Sequence, residues 1–385
     1  MDVDRRALEA FALALVRTPS PSGEEGAVAA LVRDELERLG YAVEVDAFGS
    51  VTGTLDAGPG PCVLLDAHMD TVGVSDPAAW SADPAGELRD GRLYGRGSTD
   101  MKGPLAALIH GAAAAPPRAG RVVVSASIAE EMIEGFATVE VARRVRPDVA
   151  VICEPSSRRV VVGQRGRAEL IVEVDGRPSH SSRPDLGVNA VEAMADVLRA
   201  ARGLELPSHP QLGQAILVPT DIVSRPFPAL SVLPDRCTVT FDRRTLPGEG
   251  EAEVLGPLRA AVDAVVAPHG ATGRVTIGVD RFHAYTGAPV EAPNLAAAWY
   301  TGPDAPVARA AIAALEAEPG LWVFCTNGSG TAALGIPTIG YGPGDETLAH
   351  RVDEHIVLDE LHAGARGYAT LVPALAAAVR SGDGS

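Results

Sequence analysis

The chain has 385 residues, 46% hydrophobic and 22% charged, which is ample for a buried core and excludes disorder for the bulk of the molecule. Its 33 Lys and Arg against 50 Asp and Glu leave a formal charge of −17, which excludes nucleic-acid backbones and anionic membrane surfaces as partners. The opening MDVDRRALEAF is charged where a signal peptide would be apolar, and no run approaches a membrane span, so a cytoplasmic location is expected.

In chain order, the first third alternates helix and strand. Residues 22–39 open on Ser22-Gly23-Glu24-Glu25, a capping-box pattern, and stop at Gly40, a helix C-terminal signal. Cys62-Val63-Leu64-Leu65 is the kind of apolar run that a strand covered on both faces shows. A helix is expected over 103–115, with Pro104 in its first turn, and two further buried strands at Val122-Val123-Val124 and Val149-Ala150-Val151-Ile152. This rhythm predicts an α/β domain with a mainly parallel sheet. The middle differs. A half-exposed strand at 169–175, a helix at 187–202, strands at 214–223 and 235–242, a helix at 251–266 and a strand at 273–279 follow the order β-α-β-β-α-β of a ferredoxin-like α+β unit. After residue 283 the α/β rhythm returns, with a helix near 305–317, a strand at Pro337–Tyr341 and a closing helix at 359–380. The economical division is one α/β domain (residues 1–162 and 283–385) interrupted by an insert (163–282). The four cysteines, Cys62, Cys153, Cys237 and Cys325, form no C-x-x-C pair and read as small buried hydrophobes.

The buried strands of the outer domain run directly into acids and histidines. The first delivers Asp66-Ala67-His68-Met69-Asp70, with His68 and Asp70 on one side of the strand by its period of two. Asp100 closes the loop Gly91–Met101 at a helix start; Glu130-Glu131 and Glu154-Pro155 follow two more strands, and Ala349-His350 follows the last. Any one of these alone reads as a solvated loop acid, a helix cap or an ordinary histidine. Together they fall where open α/β sheets bind ligands, outside the carboxyl ends of the strands. Two imidazoles with several carboxylates suit a pair of divalent, zinc-like ions bridged by one carboxylate. The remaining histidines lack such a setting. Gly95-Arg96-Gly97-Ser98-Thr99-Asp100 is no dinucleotide loop, because Asp replaces the third Gly and would repel a pyrophosphate.

His68-Met69-Asp70-Thr71-Val72, Gly97-Ser98-Thr99-Asp100-Met101-Lys102-Gly103, Glu130-Glu131, Cys153-Glu154-Pro155 and Ala349-His350 resemble, in order, the five signatures of the co-catalytic zinc amidohydrolases and exopeptidases. That superfamily includes the acetylornithine deacetylase, succinyl-diaminopimelate desuccinylase and carboxypeptidase G types. Residues 180–190 look most like the acetylornithine deacetylase branch, and Thr326–Glu354 looks closer to a hydrolase branch linked to selenium metabolism.

The resemblance implies a zinc-hydrolase catalytic domain with an inserted lid that also dimerises. It implies two divalent ions per chain, zinc being the expected metal and cobalt or manganese the alternatives. His68 and Glu154 would hold one ion, Glu131 and His350 the other, and Asp100 would bridge them through a cis peptide bond to Met101. Asp70 would orient His68, Glu130 would be the general base, and His180 of the insert would donate to the oxyanion, reaching across a homodimer. Arg244, with Arg243 as its rival, would clamp a substrate carboxylate; Ser231, where the family commonly has Asn, and Gly328 and Ser329 are the other expected substrate contacts. The implied reaction is hydrolysis of an amide beside a free carboxylate, in an N-acyl-α-amino acid or, alternatively, a short peptide cut by a carboxypeptidase or dipeptidase. A metal-free binding protein is the alternative of another class.

Overall fold

Short apolar runs decide the core. Cys62–His68 (CVLLDAH), Arg121–Ser127 (RVVVSAS) and Val149–Ile152 (VAVI) are buried along nearly their whole length, as strands covered on both faces must be. The computed structural model describes residues 2–228 and 230–382, and the chain divides into two compact units. The first comprises the chain up to Gln164, Arg281–Glu291, and everything from Trp299 onward. Its nine-stranded sheet runs Ala42–Val45, Val51–Asp56, Arg121–Ser127, Cys62–His68, Val149–Ile152, Thr338–Gly340, Val160–Gln164, Trp299–Tyr300, with Pro319–Trp322 also paired to Val160–Gln164.

The sheet is parallel at its centre, from Arg121–Ser127 to Thr338–Gly340, and again where Pro319–Trp322 joins Val160–Gln164, but antiparallel at its other pairings, so the expectation of a mainly parallel sheet is corrected to a mixed one. The reason is local on one flank. The Asp46 carboxylate accepts the backbone N–H groups of Phe48, Gly49 and Ser50, closing a tight turn that makes Ala42–Val45 and Val51–Asp56 an antiparallel hairpin. Helix Lys102–Ala114 is buried almost all round; a Cβ on its Gly111 would lie 2.3 Å from the Ala365 carbonyl, so glycine permits the close approach of the closing helix Leu358–Gly382. A small three-stranded sheet, Glu87–Arg89, Arg92–Tyr94 and His355–Val357, was not foreseen; its three-residue strands are too short to show a period. All four cysteines are buried thiols.

The second unit comprises Arg165–Asp280 and Ala292–Ala298. Its strand order is Ile216–Arg225, Arg236–Thr245, Gly166–Asp175, Thr272–Ile277, every pair antiparallel. Gly166–Asp175 alternates strictly: Ala168, Leu170, Val172 and Val174 are buried and pack in one cluster with Ala193, Met194 and Val197 of helix Ala190–Arg202 and Leu255, Leu258 and Val262 of helix Glu251–Val266. The outer strand Ile216–Arg225 is an edge. It tolerates Pro219 and a bulge before Asp221, as an edge can, and leaves Ile216, Val218, Ile222 and Val223 38–54% exposed. Among the described residues no helix is long and apolar enough to cross a membrane.

Candidate metal centre

The parallel strands of the first unit end along one edge of the sheet, and there the acids and histidines meet. His68, the last residue of Cys62–His68, is buried; its Nε2 lies 3.1 Å from Asp100 Oδ1, 3.5 Å from Glu154 Oε1 and 3.9 Å from Glu130 Oε2. Asp100 turns its other oxygen elsewhere: Oδ2 is 3.2 Å from His350 Nε2, which is 3.0 Å from Glu131 Oε1. Separations of 3.0–3.5 Å between donor atoms match the roughly 3.3 Å edge of a tetrahedron built on ~2 Å metal bonds. Two sets of three donors fall within 4.8 Å of one another: His68, Glu130 and Glu154, and His68, Asp100 and Glu131.

The electrostatics favour a cation at the centre. Burial pushes Glu130 and Glu154 far above the usual carboxylate range and raises Glu131, each carboxylate adding to its neighbours' difficulty. Burial works against ionised Asp100 too, but hydrogen bonds to His350 and His68 outweigh it and hold its carboxyl below the ordinary value. Bonds to Asp100 and Glu131 raise His350 to about 10. Among the described residues no Lys or Arg pairs with any of these four carboxylates. A buried cluster of four carboxylates faced by only two imidazoles is costly unless a cation joins it, and imidazoles among carboxylates form a donor set suited to divalent metal. The residues therefore fit the metal ions.

The centre is held from behind by Asp70, which the sequence already placed beside His68, and by residues that sequence reasoning missed. Asp70 lies 3.4 Å from His68 Nδ1, which is also 2.9 Å from the Asp70 carbonyl, and its carboxylate accepts the N–H groups of Glu130 and Glu131, both at 3.1 Å. Glu354 is buried and accepts the N–H groups of Thr99 (3.0 Å) and Asp100 (3.1 Å), with Arg96 on its other oxygen at 2.5 Å. Burial and nearby Asp100 push Glu354 up to about 7. The Asp100–Met101 bond is cis, as the resemblance implied. Ser22 does not open a capping box: the helix is Gly26–Arg38, with Glu25 at its N-cap making no capping bond, and the Ser22 hydroxyl donates to Asp70 Oδ2 at 2.6 Å. A short-range pattern cannot announce partners 48 and 255 positions away.

Gly328 and Ser329 lie in the first turn of the short helix Gly328–Ala333 and are buried. The Gly328 N–H donates to Thr326 Oγ1, and Ser329 Oγ lies 3.2 Å from Gln164 Nε2 and 3.0 Å from Cys325 Sγ. The other expected residues belong to the second unit. Arg244 forks onto Asp242, two residues earlier, whereas Arg243 points to the opposite face, 3% exposed, and pairs with Glu249 at 2.5 Å. His180 Nδ1 accepts the N–H of Ser182, so the ring proton sits on Nε2. The carbonyl of Ser231 accepts the N–H of Ser181, and Ser231 has φ 54°, the left-handed region that Asn adopts more readily than most residues.

An α/β sheet with a metal-binding acid and histidine cluster at its strand ends defines a metal-dependent hydrolase. The chain belongs to peptidase family M20/M25/M40, whose model matches residues 64–374. It is 30% identical to the YgeY protein of Escherichia coli K12 over 93% of this chain and 91% of that one, and 29% identical to a succinyl-diaminopimelate desuccinylase of Methylobacterium over 91% and 92%. Its fold is also that of the YxeP protein of Bacillus subtilis, a dinuclear metal-binding peptidase of the M20 family (TM-score 0.70, 15% identity, 98% of each chain).

Proposed function

We propose that the protein hydrolyses the amide bond of an N-acyl-α-amino acid, using two divalent ions, zinc in the first instance. The observation that carries this reading is Asp100, whose two oxygens face different histidines, His68 and His350, as a carboxylate shared by two ions should. In the assignment, His68 and Glu154 serve one ion, Glu131 and His350 the other. The YxeP neighbour, named as dinuclear, supports the count. Bound there, the ions would acidify a water and polarise the scissile carbonyl.

The chain's own residues do the rest. Glu130, the carboxylate farthest from His68 Nε2 among those facing it, takes the proton of the attacking water and delivers it to the departing amine nitrogen. Asp70 fixes the orientation and tautomer of His68. His180 donates its Nε2 proton to the oxyanion, and Arg244 exchanges Asp242 for the substrate carboxylate, with Ser231 beside the His180 loop as a further contact. Arg243, buried against Glu249, is committed to packing. Gly328 and Ser329 form a wall of the site, with the Ser329 hydroxyl bonded to Gln164 and Cys325.

The second unit acts as a lid, and its apolar edge strand Ile216–Arg225 supports pairing with a second copy, so that each His180 serves the partner's ions. Relatives named for removing a succinyl group favour an N-acyl substrate, and a peptidase neighbour keeps a short peptide as the competitor. The test is metal analysis followed by a hydrolysis screen with zinc or cobalt supplied. Two equivalents of metal with turnover of N-acyl amino acids above dipeptides is expected. Fewer than one equivalent after reconstitution would overturn the two-ion site, and faster cleavage of dipeptides would overturn the substrate class.

A further inference from the structure

The turn Pro21–Glu25 has chemistry that neither the cap pattern nor the metal site explains. Glu25 is a wholly buried carboxylate at the start of helix Gly26–Arg38 that caps nothing. Its Oε1 accepts the N–H of Ala129 at 3.0 Å, across 104 residues of sequence. Ala129 stands immediately before the Glu130-Glu131 pair and has φ 53°, a conformation that L-residues avoid unless surrounding contacts impose it. The next two amides, Glu130 N–H and Glu131 N–H, go to the two oxygens of Asp70, and Asp70 in turn takes the hydroxyl of Ser22. Three consecutive backbone N–H groups are thus held by two buried carboxylates, and the Ser22–Glu25 turn touches both halves of that clamp.

The turn is itself closely packed. Gly23 has φ 87°, and a Cβ there would lie 3.1 Å from the His283 carbonyl; a Cβ on Gly26 would lie 3.0 Å from the Tyr285 ring, whose hydroxyl is anchored on the Gly49 carbonyl. A closely packed turn bonded to a strained one transmits position.

We infer that Glu25 and Ser22 are positioning residues that hold Ala129 in its left-handed conformation and the Glu130-Glu131 backbone in place behind it, so that the Glu130 carboxylate stays aimed at the reacting water. Neither is among the residues assigned to substrate or metal. The inference rests on the reading of Glu130 as the proton-transfer group. A displacement on the order of 1 Å at such a group costs roughly 100-fold in rate, so loosening the clamp should act on turnover far more than on substrate binding.

The test compares Glu25→Ala, Glu25→Gln, Ser22→Ala and Glu130→Gln, each measured per metal-loaded, folded molecule. Glu25→Ala should lower kcat by roughly 10- to 100-fold with KM changed less than about threefold. Glu25→Gln keeps an acceptor oxygen for the Ala129 N–H and should restore most of the loss. Metal content, read by elemental analysis, should stay at the wild-type value in both. Combined with Glu130→Gln, Glu25→Ala should cost nothing further, because the group it positions is already gone. Should Glu25→Ala fail to fold, Ser22→Ala, which removes one bond from a half-buried turn, carries the same expectation at a severalfold loss of kcat. Wild-type kcat in Glu25→Ala with only a lowered melting temperature, or full additivity with Glu130→Gln, would overturn the inference while leaving the proton-transfer reading intact. Wild-type turnover in Glu130→Gln itself would remove that reading, and the inference with it.

Discussion

Glu130 and Glu131 are adjacent in sequence and both nearly buried, yet their expected behaviour differs. Replacing Glu130 with Gln keeps its shape and removes a base, so turnover should fall by at least about 100-fold with metal content unchanged. Glu131→Gln should instead lose metal, since its Oε1 faces His350. Elemental analysis beside kcat separates the two, and equal metal loss in both variants would reverse the assignment. The neighbouring arginines make a second contrast. Arg243→Ala strips the buried guanidinium from Glu249, which is partly buried and keeps the Leu246 N–H, and should destabilise the second unit by about 1–3 kcal/mol in denaturant unfolding. Arg244→Ala, with 29% of its side chain exposed, should leave stability alone and raise KM at least about tenfold for substrates with a free carboxylate. At this scale the sequence was informative wherever a residue ended a buried apolar run, as His68 and Glu154 do. It was silent on the pairing of Glu354 with Arg96 and misleading on Ser22 and Glu25, which it read as a helix cap; the meaning of all four comes only from partners that folding brings near.

Elements were legible in proportion to their length and burial. Cys62–His68, Gly166–Asp175 and Glu251–Val266 stand close to their expected bounds because a long run shows its period clearly. The three-residue strands Arg92–Tyr94 and His355–Val357 do not, although they bring the loop of Asp100 to the loop of Glu354. Nor does sequence show how tightly strand ends approach one another. Gly342 follows Thr338–Gly340 with no unusual φ, but a Cβ there would sit 2.3 Å from the Glu154 carbonyl and 2.5 Å from that of Cys153. Gly342→Ala should therefore cost about 1–3 kcal/mol through overpacking and, by shifting Glu154, lower the metal content. Denaturant unfolding with metal analysis checks both. Destabilisation with full metal content would mean that Glu154 holds its place independently of that contact.

For the whole molecule, the proposed dimer makes a claim about ownership of the site: each chain's His180 serves its partner. Chains carrying His180→Ala and chains carrying Glu130→Ala should each be inactive. When the two are mixed and allowed to exchange, half of the sites in each mixed dimer regain both groups, and activity should return to about one quarter of wild type. A mixture that stays inactive after exchange has been verified would place His180 and Glu130 in one chain's own site.

The strand that closes the central sheet beside Val149–Ile152 is Thr338–Gly340, and between them in sequence lies the whole second unit. His350 comes later still. During synthesis the chain therefore emerges with His68, Asp100, Glu131 and Glu154 already made, while the strand and histidine that complete their surroundings have yet to appear. The insert, whose strands Gly166–Asp175 to Thr272–Ile277 pair, among the described residues, with one another and with Leu295–Ala296, can reach its own fold in that interval. Long-range parallel pairing is the slow event in such a topology. The candidate metal pocket is thus among the last parts of the protein to be completed, and on the proposed reading its ions are needed when translation ends rather than when it begins.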